Sequence, residues 1–497
     1  MRRSTCIGVV LAGGLAGCSA TAPGLERITQ FPEPTDWERS GPGASARTFT
    51  EDELFEPCAF LVGDERDAEH HNLAVIHDGW LVHPWAPEDG GGGVSFYDVS
   101  DPCAPVLHGQ GYSDTMRESH TLAFGEVDGR EYLAVDYLSV EDGGIGGIGF
   151  FDITDPTEPV WVSELDTPNF FYPDSYLRVT FATFWQGDTL YVAGAGNGVL
   201  ILDVSDPLAP ELVNQVTFTP PHVVGSVTVV GNLAVVASAG TSRLVLMDAS
   251  DPHDLQPIPG GDLDLSVDGE FLNYYFSSIS GKYGYFARND EGGGPIVLDL
   301  TNPMTPDIVG HTVTPDGDGG YVYRNGDHLF QGDSEFGAVW DVADPTRPVE
   351  MQRLDVPGDL DTMSPIGNTV LVSVDSGGAP GEATSVFPWA LDPDTRPPVL
   401  ELTNPREGQV VPPTARIGLS FDEWVEWASV HPGSVRVTGP DGRPVAGRFN
   451  VQEAIVNFTP DAPLRRGRHV VTVPANGVAD ISGNPVDQTV QVAFEVR

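Results

Sequence analysis

The phrase at residues 198–207, Gly-Val-Leu-Ile-Leu-Asp-Val-Ser-Asp-Pro, constrains the fold more than any other stretch because it recurs. Copies stand at 96–102, 150–156, 246–252, 297–303 and 339–345, with a shortened one at 389–393. Measured on the residue before each proline, the steps are 54, 51, 45, 51, 42 and 48 residues, which suits one small sheet per repeat. Each copy is a short apolar, β-branched run that suits a buried strand and is too short for a helix. The Ser/Thr and Asp/Asn that follow bond nearby backbone amides, and Pro presets φ for a turn.

One repeat therefore reads as four strands, for example 120–127, 131–138, 147–154 and 159–165. Seven such sheets in a ring make a seven-bladed β-propeller, which protects its edge strands by radial repetition. The phrase resembles the LVIVD repeat family of bacterial and archaeal surface proteins, and the resemblance covers residues 56–397 and implies a propeller. The segment Glu56-Pro57-Cys58-Ala59 echoes Asp101-Pro102-Cys103-Ala104, so residues 59–64 are expected to supply the outer strand of the last blade and close the ring. Cys58 and Cys103 then occupy equivalent places in adjacent blades. An exported chain favours a disulfide between them, while a bond needs Cα atoms within about 7 Å, so both states stay open.

From residue 398 to 497 the pattern changes to six short strands with turn signals between them, which argues a β-sandwich and an all-β chain throughout. Leu419-Ser420-Phe421, Phe458-Thr459-Pro460 and Asp480-Ile481-Ser482-Gly483-Asn484-Pro485 are similar to the bacterial Ig-like domains of surface-layer and secreted proteins. That resemblance implies a spacer or an adhesive module. Asp480 and Asn484 read as turn formers, or as calcium ligands. With a core of its own, the sandwich is expected to be dispensable for propeller folding.

Residues 1–18 read as an export signal, with Arg2 and Arg3 before a short apolar core. Leu15-Ala16-Gly17-Cys18 resembles a bacterial lipobox, which implies diacylation of Cys18 and a membrane partner through that anchor; Ser19 after it implies outer-membrane sorting. Residues 19–55, rich in Pro, Gly and Ser, read as a flexible tether. The formal charge of −47 repels phosphate backbones and excludes nucleic acid as a partner. So much acid serves solubility, or divalent cations such as Ca²⁺. The acidic glycine loops at 88–93, 141–144, 290–294 and 375–378 read likewise as tight turns or weak calcium sites.

No P-loop, HExxH, G-x-S-x-G or CxxC occurs. Aligning the inner strands on the glycine of their first turn places His70, His71, His120, Arg178, His222, Asn273, Asp318 and Asp359 at strand starts around one mouth of the channel. Three readings follow: a polar lining for a water-filled channel, a small-molecule or glycan site, or a transition-metal site of imidazoles with Asp318. Phe170, Phe171, Tyr172 and Tyr176 in the loop before Arg178 suit sugar stacking, or fill a gap between blades. The expected function is a lipid-anchored surface protein that binds a glycan or a surface protein through its propeller. The rivals are a mouth enzyme, either a metal-dependent hydrolase or a carbohydrate lyase, and a structural envelope component.

Overall fold

The computed structural model describes residues 30–44, 47–61, 73–86, 91–116, 119–137, 145–171, 182–239, 241–266, 274–288, 292–374 and 384–497. Seven four-stranded antiparallel sheets form the ring. Blade three, Ala182–Gln186, Thr189–Ala193, Val199–Asp203 and Glu211–Val216, is representative. Its first three strands are almost wholly buried, whereas Glu211–Val216 alternates exposed and half-buried residues as an outer strand should. The first strands of successive blades pack against one another, and Val75–His77 against Thr362–Ile366 completes the circle.

The repeated phrase works as a double turn lock. In blade three Asp203 Oδ1 accepts the Ser205 amide at 2.9 Å, and Asp206 Oδ1 accepts the Leu208 amide at 3.1 Å. The same pair of bonds recurs at Asp98 and Asp101, Asp152 and Asp155, Asp248 and Asp251, Asp299 and Asn302, and Asp341 and Asp344. The acid that ends the strand is thus as much a part of the turn as the one before proline. Just before it the outer strand slips register, as between Ile201 and Leu202, and such a bulge adds local twist.

Ala59–Leu61 pairs antiparallel with Thr384–Pro388, so the last blade takes its outer strand from the start of the chain. The Cys58–Cys103 disulfide, with Cα atoms 5.0 Å apart, lies on that seam. Cys58 precedes the closing strand of blade seven and Cys103 sits in the turn of blade one. Adjacent blades meet there, so equivalent positions are no obstacle to the bond.

Residues 400–496 form the sandwich. One sheet orders Leu400–Asn404, Ile417–Phe421, Ile455–Pro460 and Gly447–Gln452; the other orders Val410–Val411, Val490–Val496, Gly467–Val473 and Arg436–Thr438. Besides the six expected strands there are Val410–Val411 and the amphipathic Gly447–Gln452. Val437, Phe458 and Phe494 lie in the sandwich's own core, but Trp424, Ala454 and Ile481 belong to a propeller cluster with Tyr323, and Ile455 to another with Val229. The sandwich therefore shares part of its apolar packing with the ring. No helix among the described residues is long and apolar enough to cross a membrane.

The described part of the expected tether is likewise packed. Arg436 Nη2 donates to Pro32 O at 3.2 Å, Arg39 pairs with Glu426 at 3.5 Å, and the Gly41 and Gly43 amides donate to Asp78 O and Gly79 O. Further along, the Phe55 and Cys58 amides bond Pro388 O and Val386 O. These residues strap the sandwich to blade one and then line blade seven. The Pro and Gly richness that suggested flexibility instead lets an extended chain lie close to its neighbours.

Candidate functional site

The sandwich sits on the face of the ring that carries each blade's first turn. Those turns contain glycines with positive φ, among them Gly187 at 62° and Gly231 at 61°. A Cβ at Gly231 would lie 2.4 Å from Asn404 O, so glycine serves the close approach as well as the turn. Two asparagines on the facing sheet read the exposed backbone. Asn457 Oδ1 accepts the Gly231 amide at 2.7 Å and its Nδ2 donates to Val229 O at 2.8 Å. Asn450 Oδ1 accepts the Gly187 amide at 2.7 Å. The Gly281 amide donates to Phe421 O and the Gly326 amide to Asp422 O, while Arg416 Nη1 donates to Gln186 Oε1 at 2.7 Å.

At the centre, the tip of the hairpin formed by Gly447–Gln452 and Ile455–Pro460 reaches the channel. Gln452, Glu453 and Ile455 help line a cavity of about 40 Å³ together with Thr183, Ser277 and Tyr323 from the inner strands. Glu453, at φ 55°, is half-buried and lines that cavity; desolvation there pushes its carboxyl up to about 7, partly offset by Ser278. Phe276 and Tyr321 stack at 3.6 Å, and the Tyr321 hydroxyl donates to His120 O across the channel. Tyr323 packs edge-on to Trp424 of the sandwich at 5.3 Å. Among the described residues, these aromatic rings pack the centre of the ring around that small cavity.

The expected ring of polar residues is only partly described. His70, His71, Arg178, Tyr172, Tyr176 and Asn273 lie outside the described residues. His120, His222, Asp318 and Asp359 fall two to four residues before the first strands, which begin at Leu122, Val224, Val322 and Thr362. They are therefore in the connectors and not on the strands.

His120 is buried. Its amide and Nδ1 lie 2.9 and 3.2 Å from the Asp136 carboxylate, which also accepts the Thr121 amide at 3.0 Å. Asp136 thus pins the connector to the second strand of blade two. His222 is buried edge-on to Phe218, and burial first, then Arg243, drives its imidazole down to about 4. Asp318 is exposed. The two histidines have separate surroundings, and neither joins a group of metal-ligating atoms among the described residues; the one such group is Asp394, Glu423 and Asp480. Among the described residues His120, His222 and Asp318 do not come together in one group of metal-ligating atoms; His70 and His71, the other two imidazoles of that reading, lie outside the described residues.

Of the acidic glycine loops, only 91–93 and 292–294 are described. The second is explained by packing: a Cβ at Gly293 would lie 2.0 Å from Asp333 Oδ1, and the Gly294 amide donates to that oxygen at 3.3 Å. Asp333 also accepts Thr314 Oγ1 at 2.8 Å and Gln331 Nε2 at 2.9 Å, and burial pushes it up to about 7.

Sequence reasoning missed Glu453, Asn450 and Asn457. The available signal was two asparagines, one in each strand of the hairpin whose tip is Glu453-Ala454, since buried Asn in a strand needs partners outside its own sheet.

Residues 394–496 match the bacterial Ig-like domain family, and residues 186–217, most of blade three, match the LVIVD repeat. No curated protein matches the chain in sequence. Among solved structures, the chain is similar to the periplasmic gluconolactonase of Pseudomonas aeruginosa, with 12% identity, TM-score 0.48, and 65% of this chain and 88% of that one covered. The WD40 β-propeller domain of Doa1 gives 11%, 0.47, 67% and 97%. BamB from Moraxella catarrhalis gives 11%, 0.39, 65% and 94%. Such distant likenesses carry no functional argument. By its strands the chain is a seven-bladed β-propeller, one blade of which matches the LVIVD repeat, followed by a β-sandwich that matches the bacterial Ig-like domain.

Proposed function

We propose that this propeller with its Ig-like cap is an exported, lipid-anchored bacterial envelope protein that binds a ligand on the ring face turned away from the cap. The observation that carries the reading is the occupation of the other face. The sandwich covers the first turns at Gly187, Gly231, Gly281 and Gly326, and the strap covers Gly79.

The strap also gives the molecule a direction. Phe31 and Pro32 meet Arg436, on the sandwich sheet opposite the one that carries Asn450 and Asn457. With Cys18 acylated, the chain from there to Gln30 reaches at most roughly 40 Å. The cap then faces the membrane and the far face of the ring points outward, as a receptor or adhesin requires. The packed channel favours binding on that face over chemistry inside the ring. His70, His71, Arg178, Asn273, Asp318 and the aromatic Tyr172 are the residues expected there, and polar groups beside aromatic rings suit carbohydrate.

A glycan array probed with the full chain tests this. Wild type and the cap-side variant Arg448→Ala are expected to bind the same carbohydrate class, while the double variant Arg178→Ala/Tyr172→Ala loses roughly tenfold or more. No binding by wild type, or equal binding by all three proteins, would contradict the reading.

A further inference from the structure

Three carboxylates from separate segments meet where the connector from the propeller enters the sandwich. Asp394 lies between Thr384–Pro388 and Leu400–Asn404, Glu423 follows Ile417–Phe421, and Asp480 lies in the loop before Val490–Val496. One oxygen of each is within 4.8 Å of the other two. Crowding of like charges is not by itself a site, but Glu423 adds a second observation. It is 2% exposed, and its Oε1 has no hydrogen-bond partner. A buried carboxylate oxygen without a partner is uncommon in proteins and asks for one from outside the chain.

The neighbours orient the cluster and offset its charge only in part: the Arg396 amide donates to Asp394 Oδ1 at 2.9 Å, and the Arg396 guanidinium favours the charged forms of Asp394 and Glu423. Asn484 donates its amide to Asp480 Oδ1 at 2.8 Å and its Nδ2 to Asp480 Oδ2 at 2.9 Å, and the same Nδ2 donates to Asp394 O at 3.1 Å. The nearby guanidinium of Arg396 is bonded to Asp422 and lies 3.8 Å from Asp327. Ser482 Oγ, in the same loop as Asp480, is a further buried oxygen with no partner. Asp394 is only half-buried, which gives an ion and its remaining waters a way in.

We propose that Asp394, Glu423 and Asp480 bind one Ca²⁺ that ties the connector to the sandwich. The donors are carboxylate oxygens, which select a hard cation over the transition metals that prefer imidazole or thiolate. They come from three loops and not from one rigid element, which suits the irregular six- to eight-oxygen shell of Ca²⁺ better than the strict octahedron of Mg²⁺. The ion supplies positive charge beyond that of the one nearby guanidinium, Arg396, which is already bonded to Asp422. It also fixes the cap on the ring, whatever ligand the opposite face takes.

The test is calorimetric titration of the full chain, stripped with chelator and held in physiological salt, with CaCl₂ and separately with MgCl₂, beside melting curves with and without Ca²⁺. Wild type binds one equivalent of Ca²⁺ saturably and melts higher with it, and Mg²⁺ binds roughly tenfold more weakly or less. In Glu423→Gln and in Asp394→Asn the affinity falls by roughly tenfold or more and the Ca²⁺-dependent rise in melting temperature disappears. In chelator Glu423→Gln is no less stable than wild type, because the substitution removes a buried charge; this separates loss of the ion from loss of the fold. Absence of saturable one-site binding up to about 5 mM overturns the proposal. Unchanged binding in both variants also overturns it, by assigning the ions to the acidic surface. Preference for Mg²⁺ over Ca²⁺ overturns the identity of the ion.

Discussion

Deletion of residues 398–497 is expected to lower the melting temperature of the remaining propeller by on the order of 10 °C and to make it aggregate. The size follows from what the cap buries. His77 packs against Trp427 at 4.6 Å and Tyr323 against Trp424 at 5.3 Å, and Val229 shares a cluster with Ile455. Returning even two or three such side chains to water costs about 5 kcal/mol, and the uncovered apolar surface would lie at the centre of the ring. A single change isolates the polar part of the contact. Asn457→Ala leaves the buried Gly231 amide and Val229 carbonyl without their partner, a loss of about 3 kcal/mol. Differential scanning calorimetry of wild type, the deletion and Asn457→Ala checks the order. A deletion that melts with wild type would mean that the sandwich and ring are independent after all.

Opening the ring seam is the second large effect. The closing strand Ala59–Leu61 has only three residues, so pairing alone holds the ends of the ring weakly, and the Cys58–Cys103 bond lies directly before it. The bond closes a loop with a sequence separation of 45, for which the loss of unfolded-state entropy corresponds to about 4 kcal/mol. Cys58→Ser/Cys103→Ser is therefore expected to lose about 3 to 4 kcal/mol in denaturant unfolding, with reduction of wild type giving the same midpoint. A loss below about 0.5 kcal/mol would show that the seam is held by other contacts, such as those of the Phe55 and Cys58 amides.

The ring itself was readable because its signal is repeated and local. Each Asp-x-Ser-Asp-Pro turn is a short-range device, and so its six good copies announce the blades, the strand direction and even the borrowed closing strand. The sandwich strands were readable for the same reason, Ile417–Phe421 and Val490–Val496 falling where alternation and turn residues put them. The docking of cap on ring was not readable. It depends on Asn450 and Asn457 meeting backbone amides, and on the Arg416 amide meeting Asn232 Oδ1, all across more than 180 residues, and no local pattern encodes such a meeting.

Polar residue type misled at the mouth. His120 looks like a site residue in the sequence, and it proves to be buried against Asp136, with which it fastens a connector. The carboxylate cluster was half visible. Asp480 and Asn484 were open to a calcium reading, whereas Glu423 and Asp394 join them only through the fold.

The central claim is that the Ig-like domain seals the first-turn face of the propeller, leaving the opposite face for ligand. Amide hydrogen exchange on the intact chain tests it most directly, because the molecule carries its own control. The amides of Gly187, Gly231, Gly281 and Gly326 each donate to the sandwich, whereas Gly129, in the same turn of blade two, is exposed with nothing within 4 Å of its Cβ position. The predicted result is that the four exchange as slowly as the core strands while Gly129 exchanges at the rate of an open turn. Exchange of all five at the open-turn rate would contradict the sealed face, and with it the outward orientation of the ligand surface.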